Sequence, residues 1–238
     1  MKVFWFCLLT AALCSATSVR TTLPPGTVLP VEVGSTLSAK NAKVNEKVDG
    51  KLMQQVRLPS GIVLKKGAHV SGKVIAVRRP TRITVQFTQL SDGDLTIPLN
   101  VSLRALASSQ SVFDAGLSAD SVVPDQSDEW TTQQVGGDYV FRGRGYVSSV
   151  AGNVGIWNGD GVWGKLQEGD NCPTGDNNNM MQSLWVFSAG ACGAFGFKDL
   201  TISHDGSAEP LGQITLESNR EVQVRSGSGW LLMANAAH

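Results

Sequence analysis

The sequence is poor in the side chains that most often carry chemistry. It holds three His, four Cys and two Tyr in 238 residues. Twenty Lys+Arg balance twenty Asp+Glu, so the formal net charge is zero, which argues against a globally basic nucleic-acid binder. Charged residues make up 17% and hydrophobic ones 42%, which excludes a disordered polyelectrolyte and a coiled coil. No segment approaches the roughly 18 apolar residues that a spanning helix needs. Glycine is what the chain has in abundance, 26 residues, without the period that would make a collagen. The length allows one large or two small domains, each able to bury a core.

Residues 1–16 read as an export signal. Lys2 supplies the positive region, Val3 to Leu13 an apolar run too short to span a bilayer, and Cys14-Ser15-Ala16 small residues for cleavage after Ala16. Leu13 and Phe6 precede Cys14 and Cys7, so neither cysteine suits lipid attachment. The expectation is an exported protein, periplasmic or envelope-associated, and peripheral to a membrane at most. In an oxidising compartment Cys172 and Cys192 form an even pair. A disulfide between them would close a loop of about twenty residues and contribute on the order of 3 kcal/mol. Two buried free thiols are the other reading.

Zero net charge conceals two unlike halves. Thr21 to Gln110 carries twelve Lys+Arg against five Asp+Glu, whereas Ser111 to His238 carries six against fifteen. Trp130, Trp157, Trp163, Trp185 and Trp230 all lie in the second half. This shift suggests a β-barrel domain over 22–107, a Ser/Asp-rich linker over 108–128 and a Trp-rich β region over 129–238. That last region could instead complete the same barrel.

Period-two alternation and turn residues predict an all-β fold: a small barrel, a second Trp/Gly-rich β region, and little helix. Strands are expected over 27–33, 47–58, 62–64, 69–77, 82–88 and 95–99, with one short helix within 103–117. In the second half they are expected over 139–142, 183–187 and 230–233, with 213–217 and 221–225 forming a hairpin. Residues 151–178, rich in Gly, Asn and Asp, read as loops. Gly67 marks a tight turn that wants positive φ, and Gly72 a bulge or close backbone approach.

Four stretches of the first half form a recognisable order. They are Gly26-Thr27-Val28-Leu29-Pro30, Val48 to Val56, Leu64 to Val74 with Gly67 and Gly72, and Ile83 to Leu90 followed by Gly93 and Ile97-Pro98-Leu99. This order, over residues of about 24–106, resembles the β-barrel domain of the TrbI-like conjugation proteins, the bridging subunits of type IV secretion core complexes. The resemblance implies a barrel fold, a periplasmic location and self-association or contact with envelope proteins.

Catalytic apparatus is not assembled in the sequence. Gly227-Ser228-Gly229 lacks the full nucleophile elbow, and His204-Asp205 reads as a turn. Asp160, Glu168, Asp170 and Asp176 stand near Trp157 and Trp163 as glycosidase carboxylates would, but in loops where exposed acids are the default. The run from Glu168 to Asn179 is rich in oxygen ligands yet does not follow the calcium-loop spacing. The chain is therefore expected to be no enzyme, with no cofactor, no metal and no nucleic-acid partner. Trp157, Asp160, Trp163 and Trp185 remain as a candidate binding set for cell-wall glycan or peptide. The competing reading makes the three Trp the core of a Gly-rich sheet.

Overall fold

The computed structural model describes residues 22–120, 131–159, 161–168, 172, 174 and 180–236. Residues 1–16 of the expected signal and Asp160 of the candidate set lie outside them, as do Asp170 and Asp176.

The alternating first third folds into β1 (Val28–Val33), β2 (Leu37–Ser38), β3 (Lys47–Leu52), β4 (Val56–Arg57), β5 (Val63–Leu64), β6 (His69–Arg78), β7 (Arg82–Asp92), β8 (Leu95–Pro98) and β9 (Val101–Ala107). A helix, α1 (Ser109–Asp120), follows. Then comes a meander of β10 (Thr131–Gln133), β11 (Tyr139–Phe141), β12 (Tyr146–Ser149), β13 (Gly152–Trp157), β14 (Val162–Gly164) and β15 (Gln182–Ser183). The remaining strands are β16 (Gly193–Phe195), β17 (Leu200–His204), β18 (Gln213–Ser218), β19 (Gln223–Val224) and β20 (Gly229–Ala234).

The fold is all-β, built on one large sheet in the order β16-β9-β20-β1-β3-β6-β7-β18-β17, with β8 also paired to β7. Its two edge strands, β16 and β17, lie against each other, so the sheet curls into a nearly closed barrel. Opposite its β6 edge, strand β7 serves two neighbours: Arg82 to Gln86 pair with β18, and Gln89 to Asp92 pair with β8. Both compositional halves contribute to this sheet, because β16, β17, β18 and β20 come from the second. Ser109–Asp120, read in the sequence as part of a linker, is helical.

Alternate residues of the barrel strands point inward. Leu29, Val31, Val70, Val74, Phe87, Leu106 and Leu216 are fully or nearly fully buried there. Trp230 joins them, 0% exposed, with its ring edge-on to Phe87 at 5.4 Å between centroids. Gly67 occupies a turn at φ 86°, where a Cβ would be strained. Gly72 sits at a register shift between β6 and β7. A Cβ on Gly72 would fall inside contact distance of the Gln86 carbonyl oxygen and of Phe87 Cα.

Three local expectations are overturned. The hairpin of 213–217 with 221–225 does not form: β18 pairs with β7 and β17, while β19 pairs with β2. The turn between β6 and β7 draws this segment away, because Ser218 and Val222 donate their N–H groups to the carbonyls of Thr81 and Pro80. Residues 183–187 are strand only at Ser183; beyond it Phe187 N–H donates to the Leu184 carbonyl and closes a turn. Within 151–178, read as loops, β13 and β14 form part of the meander.

Gly72→Ala should lower stability by about 2 kcal/mol or more, since its neighbours are backbone atoms. Gly34→Ala, whose nearest contact would be an ordinary 3.7 Å, should be close to neutral. Urea melts of the two variants check both.

Candidate functional site

The most distinctive surface is built by the six-stranded antiparallel meander, β10 to β15, which packs on the outside of the barrel. Its inward residues Val140, Val147 and Val162 meet Val28, Leu231 and Met233 of the barrel wall in a second core around Phe187. Buried amides fix the docking. Gln54, 0% exposed, donates from Nε2 to the Val162 carbonyl at 2.9 Å. Its Oε1 accepts N–H groups from Val162 at 2.9 Å and Trp185 at 3.1 Å. Gly161 passes so close that a Cβ there would collide with the Gln54 amide. Ser183 Oγ donates to the Gln55 carbonyl, and Val28 N–H donates to Gln182 Oε1.

The three candidate tryptophans do not form one platform. Trp157 is half-buried on the inner face, with the Arg142 guanidinium 4.3 Å above its ring. Trp163 is on the outer face and only 4% exposed, with Arg57 at 4.8 Å over its ring. Trp185 is half-buried and carries Lys66 at 4.8 Å. Such cation–ring contacts contribute on the order of 0.5–1 kcal/mol each at partly exposed sites. Trp185 adopts φ 50°, unusual for a bulky residue. Side chains hold it there: Gln54 receives its N–H, and Gln134 Nε2 donates to its carbonyl at 2.7 Å. Trp157 and Trp185 line one narrow slot with Ala115 and Gly116 of α1.

On the outer side of the same sheet, sequence reasoning singled out Trp163 but missed Phe141, Tyr146 and Ile156. Register places Phe141 opposite Tyr146, Tyr146 opposite Ile156, and Ile156 opposite Trp163. Directly opposed residues share a face, so these four make one apolar row crossing four strands, about 14 Å long at normal strand spacing. Phe141 and Tyr146 stack at 4.6 Å. Ile156 is 48% exposed, and Tyr139, on the same face of β11, is 46% exposed. Val150, Met180 and Met181 add exposed apolar surface at the sheet's turns and edge, whereas the barrel strands and their turns expose only Val44 and Val63 to this degree. The alternation Tyr139-Val140-Phe141 and Tyr146-Val147-Ser148 was the available signal, but the pairing that aligns them was not readable.

Charged groups beneath the sheet serve the architecture. Arg104 sits at a bulge where β9 meets β20, is 3% exposed, and donates to the carbonyls of Gln167 and Ala189. Burial lowers its pKa. Beside it Cys172 and Cys192 form a disulfide with Cα atoms 5.9 Å apart, a normal span, tying Cys172 to the residue that precedes β16. Asp138 is 6% exposed, and its Oδ2 accepts the Ala189 N–H at 2.8 Å. Burial raises its pKa above the ordinary 3.8, and the Ala189 bond partly opposes this. Among the described residues, no three His, Cys, Asp or Glu side chains are grouped to hold a metal.

Fold and surface together define a disulfide-bonded, nearly closed β-barrel carrying an appended antiparallel sheet with an apolar outer row. No protein-family model matches the chain, and no curated relative does.

Gln54→Ala should strand the peptide groups of Val162 and Trp185 and cost about 3 kcal/mol in denaturant melts. For Asp138 the folded protein holds the proton more tightly than the unfolded chain. Its stabilising contribution is therefore full below the ordinary value of 3.8 and is lost as pH rises through the raised folded value. The stability of Asp138→Asn relative to the parent should consequently increase from about pH 3 to about pH 7, measured by melts at matched ionic strength.

Proposed function

We propose that this is a non-catalytic exported protein of the cell envelope that acts through protein–protein contacts. Its role is that of a structural or assembly component similar to a secretion-system barrel domain of the TrbI-like kind. The observation that carries the reading is the outer row of the appended sheet. Apolar rows of this kind, rimmed by polar residues, mark interaction surfaces more often than isolated exposed side chains do. Here exposed Thr131 flanks the row opposite Phe141, and at the other end Arg57 covers the Trp163 ring. The barrel is a second support for the reading, because residues 28–107, which carry the resemblance, supply β1, β3, β6, β7 and β9 of its wall. A rigid barrel presenting a sheet is a scaffold for contacts, and it needs neither a cofactor nor a reacting group.

The second reading, binding of cell-wall glycan or peptide, rests on the slot where half-buried Trp157 and Trp185 meet. It requires displacement of Arg142 from the Trp157 ring.

Ile156 is exposed and central in the row, so Ile156→Asp should change stability by no more than about 1 kcal/mol. It should nonetheless shift the native size of the tagged protein in mildly solubilised envelope extract from a large complex to the monomer. Parent protein that is monomeric in extract and after purification would refute the assembly reading. Loss of peptidoglycan binding on Trp157→Ala, with the Ile156 variant unaffected, would favour the second.

A further inference from the structure

A separate cavity opens where α1 begins, away from the apolar row. Ser108 caps the helix: its Oγ accepts the Ser111 N–H at 3.1 Å, and its carbonyl accepts the Val112 N–H at 2.9 Å. The amides of Ser109 and Gln110 have no acceptor among the described residues. The first turn contains no acidic residue, so the positive end of the helix is not neutralised from within. Asp114, one turn on, is engaged by Gln110 Nε2 at 2.7 Å.

Ser108, Ser109 and Gln110 line a cavity of about 180 Å³ together with Phe197, Arg225 and Ser228. Ser228 is 0% exposed, yet its Oγ has no hydrogen-bond partner. A buried hydroxyl without a partner is costly, and its position in the wall of a cavity argues for an acceptor that arrives from outside. Arg225 is exposed and joins no ion pair among the described residues. The cavity continues into a groove bordered by Lys198, where Asp199 is taken by Arg220 at 3.6 Å and Glu221 accepts Ser38 Oγ at 2.8 Å. Glu32 stands at the rim: its Oε1 lies 4.0 Å from the point where a Gly227 side chain would begin, and Ser109 Cβ lies 3.5 Å from that point.

We infer that the cavity at the start of α1 is a binding site for a phosphate-class oxyanion, held by the Ser109 and Gln110 amides, the Ser228 hydroxyl and the Arg225 guanidinium. Free N–H groups at a helix start aim partial positive charge at a bound anion. Arg225 adds a planar donor fork suited to phosphate oxygens. Ser228 supplies a hydroxyl that is already desolvated, so it loses no water on binding. Glu32 opposes the site by like charge and tunes it weaker.

The test is an NMR titration of the purified ¹⁵N-labelled protein with inorganic phosphate, ionic strength held constant with sodium chloride. Saturable shifts of the Ser109 and Gln110 amides are expected. Arg225→Ala should weaken binding about tenfold and Ser228→Ala about fivefold, each with the remaining spectrum unchanged. Glu32→Gln should tighten it about threefold. Shifts that never saturate, or saturation that Arg225→Ala leaves unaltered, would overturn the site. Equal saturation by acetate would overturn the assignment to phosphate in favour of a general carboxylate receptor.

Discussion

Strand β20 is buried along its whole length, and both cores of the molecule depend on it. It lies between β1 and β9, so it joins the start of the barrel to its later strands. Trp230 and Leu232 point into the barrel, while Leu231 and Met233 point into the second core under the meander. A strand with two buried faces reads as a continuous apolar run, as Trp230-Leu231-Leu232-Met233 does. Burial of such side chains contributes roughly 1.5–3 kcal/mol each, so this one strand carries a substantial part of the stability. It also couples the two layers: a change that tilts β20 disturbs barrel and meander together.

Polar contacts then decide how the meander sits on that wall. Apolar packing alone would tolerate sliding, because Val and Leu contacts are not directional. Gln54 removes that freedom by acting as a short piece of strand, matching the N–H and C=O of Val162 and adding Trp185. Arg104 and Asp138 fix the loop through the Gln167 and Ala189 backbone. Each is buried and would be costly if its partners moved, so together they specify one docking position. The outer row faces away from the barrel as a consequence, with Ile156 exposed, Phe141 and Tyr146 half-buried and Trp163 covered by Arg57.

The charge asymmetry of the sequence is expressed mainly through rings. Two ion pairs are present among the described residues, Arg82–Glu217 and Arg220–Asp199, and only the first joins the basic half to the acidic half. Arg57 and Lys66 instead reach from around the β4–β5 hairpin over Trp163 and Trp185 of the second half. A weakly hydrated guanidinium over an indole keeps its outer edge in water while covering apolar surface. This explains how a Trp-rich sheet can border solvent without exposing Trp163.

Sequence alone determined the all-β class, most barrel strands and the roles of Gly67 and Gly72, and it favoured pairing Cys172 with Cys192 over two free thiols. Those features are local: period-two burial, turn chemistry and the count of cysteines carry them. Only the tertiary structure decided that β20 separates β1 from β9, that β19 leaves β18 for β2, and that Trp185 turns instead of extending. Each depends on partners more than a hundred residues away, or on a backbone donor satisfied by a distant carbonyl or side chain. The apolar row belongs to the same class, because Phe141, Tyr146, Ile156 and Trp163 become neighbours only through strand register. The cavity at α1 does too, since Ser108 and Ser228 lie far apart in the chain and meet only where the barrel nearly closes.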